Sequence, residues 1–141
     1  MEFNAYKMDG LGNDFIIIDR RETSISLTKE KIIELGDRSN IGFDQIIFID
    51  KKRESSFPIK IFNSDGSEVS ACGNGSRCVA YLLGKNLNTK EIKLKTNNRL
   101  LNAKIVGNLQ VELEMGKPLF SFKDIPLSKT INPADITLEI N

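Results

Sequence analysis

The chain has 141 residues, 40% of them hydrophobic and 28% charged, which is the size and balance of one globular domain with a single core. Its 20 basic and 19 acidic residues nearly cancel, so the charge points neither to nucleic acid nor to a membrane surface as partner. No apolar run reaches the roughly 20 residues that span a bilayer, and the N-terminus lacks the pattern of a secretory signal. With two cysteines only, we expect a reduced, cytoplasmic setting.

The chain contains no histidine. Histidine is the usual general base and the commonest metal ligand, so its absence excludes a Ser-His-Asp or Cys-His hydrolase built from this chain alone. Two thiols are also too few for a structural zinc site. We therefore predict no metal ligands.

The first half of the sequence predicts three strands and one helix. Two continuous β-branched runs, "GNDFIIID" and "DQIIFID", are typical of buried strands, and "FPIKIFN" alternates like a half-exposed one. Between the first two runs, "SLTKEKIIELGDR" predicts a short helix that Thr28 caps and Gly36 ends. Its expected apolar face consists of Ile32, Ile33 and Leu35.

The second half predicts a helix followed by three strands. The helix is expected to begin at about Asn74 and to close at Gly84, with Cys78, Val79, Leu82 and Leu83 on one face. Three alternating segments follow, "EIKLKT", "LLNAKIV" and "LQVELEM". About six strands and two helices in mixed order predict an α+β domain, in which helices pack inside or against a curved, mainly antiparallel sheet.

Cys72 lies in "SACGNGSRC", just ahead of the predicted second helix. The N-terminus of a helix carries partial positive charge and exposes N–H groups, and glycines at positions 73 and 75 would let an anion approach the backbone. One interpretation is thus a thiol that acts as acid and base beside an anion site. The other is a buried cysteine that fills a tight turn, as free cysteines often do.

Cys78 and Arg77 have simpler interpretations. Cys78 falls on the apolar face of the predicted helix, and it is six residues from Cys72, too far for a disulfide within a helix. We expect it in the core. Arg77 is expected to fix the preceding turn by pairing with Glu68 or Asp65.

Two similar motifs, "GLGNDF" and "NIGFDQ", each place a glycine, an amide and an aspartate beside a predicted strand. The amides of Asn13 and Gln45 can donate and accept hydrogen bonds, which suits an amino-acid zwitterion. Alternatively, Asn13 closes an Asx-turn and Gln45 is merely exposed. Neither motif is a nucleotide-binding fingerprint, because the first leads into a strand and G-K-[ST] is absent.

Taken together, "KMDGLGNDF", "IGFDQ" and "NSDGSEVSACGNGSRC" resemble the N-terminal half of diaminopimelate epimerase, from residue 1 to about residue 118. The resemblance implies one half of a two-domain fold in which each half wraps a curved sheet around a helix. It implies interconversion of LL- and meso-diaminopimelate without a cofactor or metal, by two thiols on opposite faces of the substrate. By position, Cys72 is the N-terminal thiol. The implied substrate contacts are Asn13, Gln45, Asn63, Gly73 and Asn74.

The resemblance also implies what this chain lacks. The family's second half carries the other cysteine in a Cys-Gly-Thr-Gly turn, and no cysteine follows Cys78 here. We therefore expect residues 119–141 to be a connection and first strand or strands toward a missing second half. We expect the chain alone not to be a working epimerase, whether it is a truncated gene product or half of a split enzyme. The full-length family is expected to form homodimers.

Two alternatives remain at this stage. The chain could be a half-domain that binds a partner polypeptide or itself through the apolar surface left uncovered. It could also belong to a sister family of metal-free amino-acid racemases, with the same thiol chemistry on another substrate.

Overall fold

The computed structural model describes residues 3–125, 127 and 131–137. These residues form helices α1 (Lys29–Gly36) and α2 (Gly73–Leu87) and eight strands. The strands are β1 (Ala5–Gly10), β2 (Asn13–Asp19), β3 (Gln45–Ile49), β4 (Phe57–Asn63), β5 (Glu68–Val69), β6 (Glu91–Lys95), β7 (Leu100–Gly107) and β8 (Gln110–Glu114). Neither α1 nor α2 has the length and apolar character needed to cross a membrane.

The strands form one curved sheet in the order β1-β2-β3-β4-β6-β7-β8, with β5 paired to β4. The pairs β2–β3 and β4–β6 are parallel and the other five are antiparallel. Helix α2 lies in the concave face, in contact with strands from both ends of the sheet. The predicted α+β class, with a mainly antiparallel sheet wrapped around a helix, is confirmed.

Two strands were missing from the prediction. β1 is an edge strand whose residues are mostly exposed, so it lacks an alternating apolar pattern. β5 has only two residues, which is too short for any periodicity. The predicted count of about six strands was therefore low by these two.

The sheet carries a core on each face. The inner core lies between α2 and the concave face, and the outer core lies under α1, against the convex face of β2 and β3. Because these two strands are covered on both faces, their sequences are continuous β-branched runs rather than alternating ones. Ile16, Ile18, Ile46 and Phe48 face the outer core, whereas Phe15, Ile17, Ile47 and Ile49 face the inner core.

Helix α1 begins where predicted, because the side chain of Thr28 accepts a hydrogen bond from the backbone N–H of Lys31 at 3.3 Å. Its predicted apolar face was partly wrong. Ile32 is buried and Leu35 packs against the outer core, but Ile33 is 45% exposed. Ile33 lies about 100° around the helix from Ile32, which turns it toward solvent.

Helix α2 is longer than predicted at both ends. It begins at Gly73 and continues through Gly84 to Leu87, where Asn88 adopts the left-handed conformation that ends it. Gly84 is a packing position instead of a helix end. A Cβ atom there would lie 2.6 Å from Cδ1 of Ile105 and 2.8 Å from the carbonyl oxygen of Thr89.

The described residues after β8 contain no strand. The strands predicted within residues 119–141 fall partly on residues 126, 128–130 and 138–141, which lie outside the described residues. The domain boundary at residue 118 stays a prediction.

Candidate active site

Three amide side chains lie at one end of the concave face, next to the first turn of α2. Side chains alternate between the faces of a strand, so the residue two positions from a core residue lies on the same face. Asn13 precedes Phe15 in this way, Gln45 precedes Ile47, and Asn63 follows Ile61. In each of these three strands, the series of apolar side chains on the inner face thus ends in an amide side chain. The pairing of β2, β3 and β4 brings these strand ends together.

Gln45 and Asn63 are direct partners across β3 and β4. Nε2 of Gln45 donates to Oδ1 of Asn63 at 2.9 Å, and Nδ2 of Asn63 donates to the hydroxyl of Ser67 at 3.1 Å. Gln45 is half-buried, so the alternative in which it is merely exposed is wrong.

Asn13 is joined to the helix. Nδ2 of Asn74 donates to Oδ1 of Asn13 at 2.7 Å, and Nδ2 of Asn13 donates to Asp44 at 3.2 Å. Asn13 is the first residue of β2, and the tight turn before it is made by Leu11 and Gly12, which both have positive φ. The alternative that an Asx-turn at Asn13 closes a loop is therefore wrong.

Arg77 does not pair with Glu68 or Asp65, and that prediction was wrong. Arg77 donates to Oδ1 of Asn74, three residues earlier on the same helix, where side chains are neighbours. Glu68 accepts from Asn97 instead, and Asp65 accepts from Ser67.

Cys72 is the N-cap residue of α2. Its backbone is extended, with φ −150°, and its Sγ accepts a hydrogen bond from the backbone N–H of Gly75 at 3.4 Å. The residue is partly exposed and its side chain touches the edge of the inner core. It is thus neither an enclosed core thiol nor a fully solvated one.

Two glycines shape the surroundings of this sulfur differently. A Cβ atom at Gly75 would lie 2.6 Å from Cδ1 of Ile47 and 3.2 Å from Phe15, so the missing side chain lets the helix tip rest directly on the sheet. A Cβ atom at Gly73 would have no neighbour nearer than Sδ of Met115 at 3.6 Å. Gly75 therefore allows the first turn of the helix to pack against the sheet, and Gly73 leaves the N-terminal end of the helix accessible.

Cys78 is 6% exposed and belongs to the inner core, as predicted. Burial, with a smaller contribution from Asp9, raises the pKa of its thiol to about 11. Its Sγ donates to the carbonyl oxygen of Asp9 at 3.5 Å. A cavity of about 560 Å³ opens beside it, between β1 and β8. This thiol is therefore protonated at neutral pH.

A charged cluster ties the starts of β2 and β3 together. Arg38 donates to both carboxylate oxygens of Asp14, at 2.6 and 2.9 Å, and to Asp44 at 2.7 Å. Hydrogen bonds from Arg38, followed by those from Lys7, hold the pKa of Asp14 well below its usual range. The cluster keeps Asn13 and Gln45 on adjacent strand ends. The sequence signal for this cluster was the aspartate that the motifs "GNDF" and "GFDQ" share, for which no role was predicted.

Within the described ranges, no three Asp, Glu or Cys side chains come together as a set of metal ligands. Of the predicted site residues, the structure gathers Asn13, Cys72, Gly73 and Asn74 around the tip of α2. Gln45 and Asn63 lie on the neighbouring strand ends. The arrangement offers one thiol, backbone N–H groups and amide side chains to a small polar ligand.

The sequence is similar to known proteins over most of its length. The model of the diaminopimelate epimerase family matches residues 5–121. Curated proteins named diaminopimelate epimerase are 51% identical over 140 residues in Pelagibacter ubique, 41% over 130 residues in Acidiphilium cryptum and 38% over 146 residues in Coxiella burnetii. The matches cover 99%, 92% and 99% of this chain, and 51%, 46% and 53% of the relatives. The chain therefore spans about half the length of these relatives.

Solved structures resemble the fold at low sequence identity. A predicted epimerase from Pseudomonas aeruginosa has a TM-score of 0.57 at 17% identity, covering 75% of this chain and 40% of that one. A phenazine biosynthesis protein of the PhzF family from Enterococcus faecalis has a TM-score of 0.55 at 15% identity, covering 72% of this chain and 39% of that one. At such identity the likeness concerns the fold alone.

Proposed function

Because the chain belongs to the diaminopimelate epimerase family, we propose that it contributes one thiol, that of Cys72, to the interconversion of LL- and meso-diaminopimelate. This isomerase reaction needs no cofactor and serves lysine and peptidoglycan synthesis. The observation that carries the proposal is the position of Cys72, a partly exposed residue at the N-cap of α2, beside amides that end the inner-face rows of the sheet.

The proposed step is a proton transfer at the α-carbon. The thiolate of Cys72 takes the α-proton, and the electron pair of the broken C–H bond delocalises into the carboxylate. A second thiol gives a proton to the opposite face, which inverts the centre. Since Cys78, the other cysteine of this sequence, is buried in the inner core, we expect that second thiol to come from outside these 141 residues.

The first turn of α2 can stabilise the negative charge that develops on the substrate's carboxylate during the reaction. The N–H of Gly75 donates to Sγ of Cys72, and the N–H of Ser76 donates to the carbonyl oxygen of Cys72 at 2.9 Å. The N–H groups of Gly73 and Asn74 precede the first intrahelical hydrogen bond, so they have no acceptor within the helix. Fixed N–H donors aimed at a developing anion lower the barrier because they need no reorganisation during the reaction.

Protection of Cys72 from alkylation tests the proposal. The chain is treated with iodoacetamide with and without diaminopimelate, and each cysteine is quantified by peptide mass spectrometry, with Cys78 as internal reference. Slower labelling of Cys72 is expected with diaminopimelate but not with proline or glutamate. Protection by proline or glutamate instead would favour the sister-family racemases, and labelling unaffected by diaminopimelate would contradict the proposed substrate.

A second candidate is self-association of the half-domain. Leu11 and Leu109, at the tips of two hairpins, are 87% and 74% exposed, and both line the cavity between β1 and β8. Apolar tips around an open groove favour contact with a second copy. A monomer in sedimentation, without binding of an apolar dye, would contradict this candidate. The homodimer of the full-length family and the cytoplasmic location stay predictions.

A further inference from the structure

Oε1 of Gln45 is a buried acceptor with no hydrogen-bond donor among the described residues. A buried polar atom without a partner costs about 1–3 kcal/mol, so such atoms need an explanation. Gln45 lies on the inner face two residues before Ile47, the side chain on which Gly75 of the helix tip rests. The unpartnered oxygen therefore belongs to the same end of the concave face as Cys72.

The orientation of the Gln45 amide follows from one carboxylate. Oδ1 of Asp65 accepts both the backbone N–H of Ser67 at 2.8 Å and its hydroxyl at 2.5 Å. The single hydroxyl proton of Ser67 is thereby used, so its oxygen can only accept from Asn63. Asn63 must then turn Nδ2 to Ser67 and Oδ1 to Gln45, and Gln45 must turn Nε2 to Asn63. Oε1 of Gln45 is left as the acceptor.

A second chain of hydrogen bonds gives the opposite result at the helix tip. Arg77 can only donate, so Asn74 turns Oδ1 to it and Nδ2 to Asn13, and Asn13 turns Nδ2 to the carboxylate of Asp44. Charges at both ends fix this direction. Each of these two amide nitrogens carries a second hydrogen that this chain of bonds does not use. Unused N–H donors therefore remain at the tip of α2, while the unused group on the strand side is the oxygen of Gln45.

We propose that Ser67 and Asp65 are positioning residues that hold Oε1 of Gln45 as an acceptor for an N–H group of the substrate. The pairing of donors at the helix with an acceptor at the strand fits an α-amino acid, with its carboxylate at the helix tip and its ammonium toward Gln45. This inference rests on the proposed function and specifies how the site selects an amino acid over a plain dicarboxylate. Neither positioning residue needs to touch the substrate.

Replacing Ser67 by Ala tests the proposal. The variant keeps the backbone bond from Ser67 to Asp65 and the 2.9 Å bond from the N–H of Asn63 to the carbonyl oxygen of residue 67, so the turn is retained. It removes only the acceptor that orients Asn63. Ser39→Ala is the matched control, because Ser39 donates its N–H and hydroxyl to Asp37 at 2.7 and 2.6 Å in the same local motif, without joining the amide chain. Ser67→Thr restores the hydroxyl.

Two readouts are measured. The first is the pair of side-chain NH₂ signals of Gln45 in a ¹⁵N–¹H correlation spectrum, which report the amide's partner. The second is a ratio of two concentrations, that of pimelate and that of diaminopimelate, each of which halves the rate at which iodoacetamide labels Cys72. Pimelate lacks both ammonium groups, so this ratio measures the preference of the site for a ligand that carries them. In Ser67→Ala we expect the Gln45 signals to move and the preference for diaminopimelate to fall about tenfold, the value of one charged hydrogen bond. Ser39→Ala and Ser67→Thr should match the unaltered chain.

The proposal is overturned if the Gln45 signals stay in place in Ser67→Ala. It is also overturned if they move while the preference for diaminopimelate is unchanged. If the signals move as expected but neither compound protects Cys72 in the unaltered chain, the positioning of Gln45 is supported and the proposed function alone fails.

Discussion

Substituting Ala for either of two glycines in the first turn of α2 should change stability in opposite directions. At Gly75, the new Cβ would meet Cδ1 of Ile47 at 2.6 Å and Phe15 at 3.2 Å. Both side chains are fully buried, so neither can move aside freely. Overpacking of this kind costs about 1–3 kcal/mol, and the better helix propensity of Ala returns up to about 1 kcal/mol. We expect Gly75→Ala to lower the free energy of unfolding by about 1–2 kcal/mol.

At Gly73, the nearest atoms to a new Cβ are at 3.6 and 3.7 Å, which is ordinary contact. Gly73→Ala should therefore raise the free energy of unfolding by about 0.4–1 kcal/mol, because the unfolded chain loses conformational freedom. Urea unfolding followed by circular dichroism suits this protein, which has no tryptophan. With a slope of about 2 kcal/mol per molar urea, the two midpoints should differ by about 1 M. A Gly75→Ala midpoint equal to or above that of Gly73→Ala would refute the seating of the helix tip on the sheet.

Three other predictions concern charge, thiol reactivity and the end of α2. The pKa of Asp14 is lowered by Arg38, so its contribution to stability is fully present above the unfolded pKa of about 4 and is lost progressively as the pH falls from there through the lower folded pKa. Asp14→Asn should therefore flatten the fall in unfolding free energy between about pH 5 and pH 3 in urea titrations, and parallel curves would contradict this. With a thiol pKa of about 11, Cys78 is about one part in a thousand thiolate at pH 8. Native iodoacetamide labelling should reach Cys72 first, and faster labelling of Cys78 would exclude its burial. Asn88→Gly should raise the urea midpoint slightly, because Gly adopts the left-handed conformation found there without steric cost. A fall of more than about 1 kcal/mol in the free energy of unfolding would contradict this.

The sequence predicts this fold best where a strand is buried on both faces. β2 and β3 were recognised because α1 and α2 cover both sides of them, which forces continuous β-branched runs. β1 could not be recognised, because an edge strand with one face open needs few apolar residues. The end of α2 was misplaced because the role of Gly84 depends on Ile105, 21 residues later in the chain, and local propensity does not contain that contact.

The candidate site could be predicted only in part from the sequence, because a local pattern does not contain the long-range contacts. Cys72, at a helix start between small residues, is a local pattern, and the sequence indicated the helix tip correctly to within one residue. Some of the contacts that orient the site residues are not local. Arg38 reaches Asp14 across 24 positions, and Asn74 reaches Asn13 across 61. Which end of the Asn13 and Gln45 side-chain amides faces the site depends on such contacts, so no residue pattern predicts it.

Hydrogen exchange at the substrate's α-carbon tests the role of Cys72 most directly. The chain is incubated with LL-diaminopimelate in D₂O, and deuterium incorporation is followed by mass spectrometry. We predict incorporation with the unaltered chain and with Cys78→Ser, and none above the buffer rate with Cys72→Ser, whose side chain differs little in size. Undiminished incorporation in Cys72→Ser, or none in the unaltered chain, would contradict the assignment of this sulfur as the base.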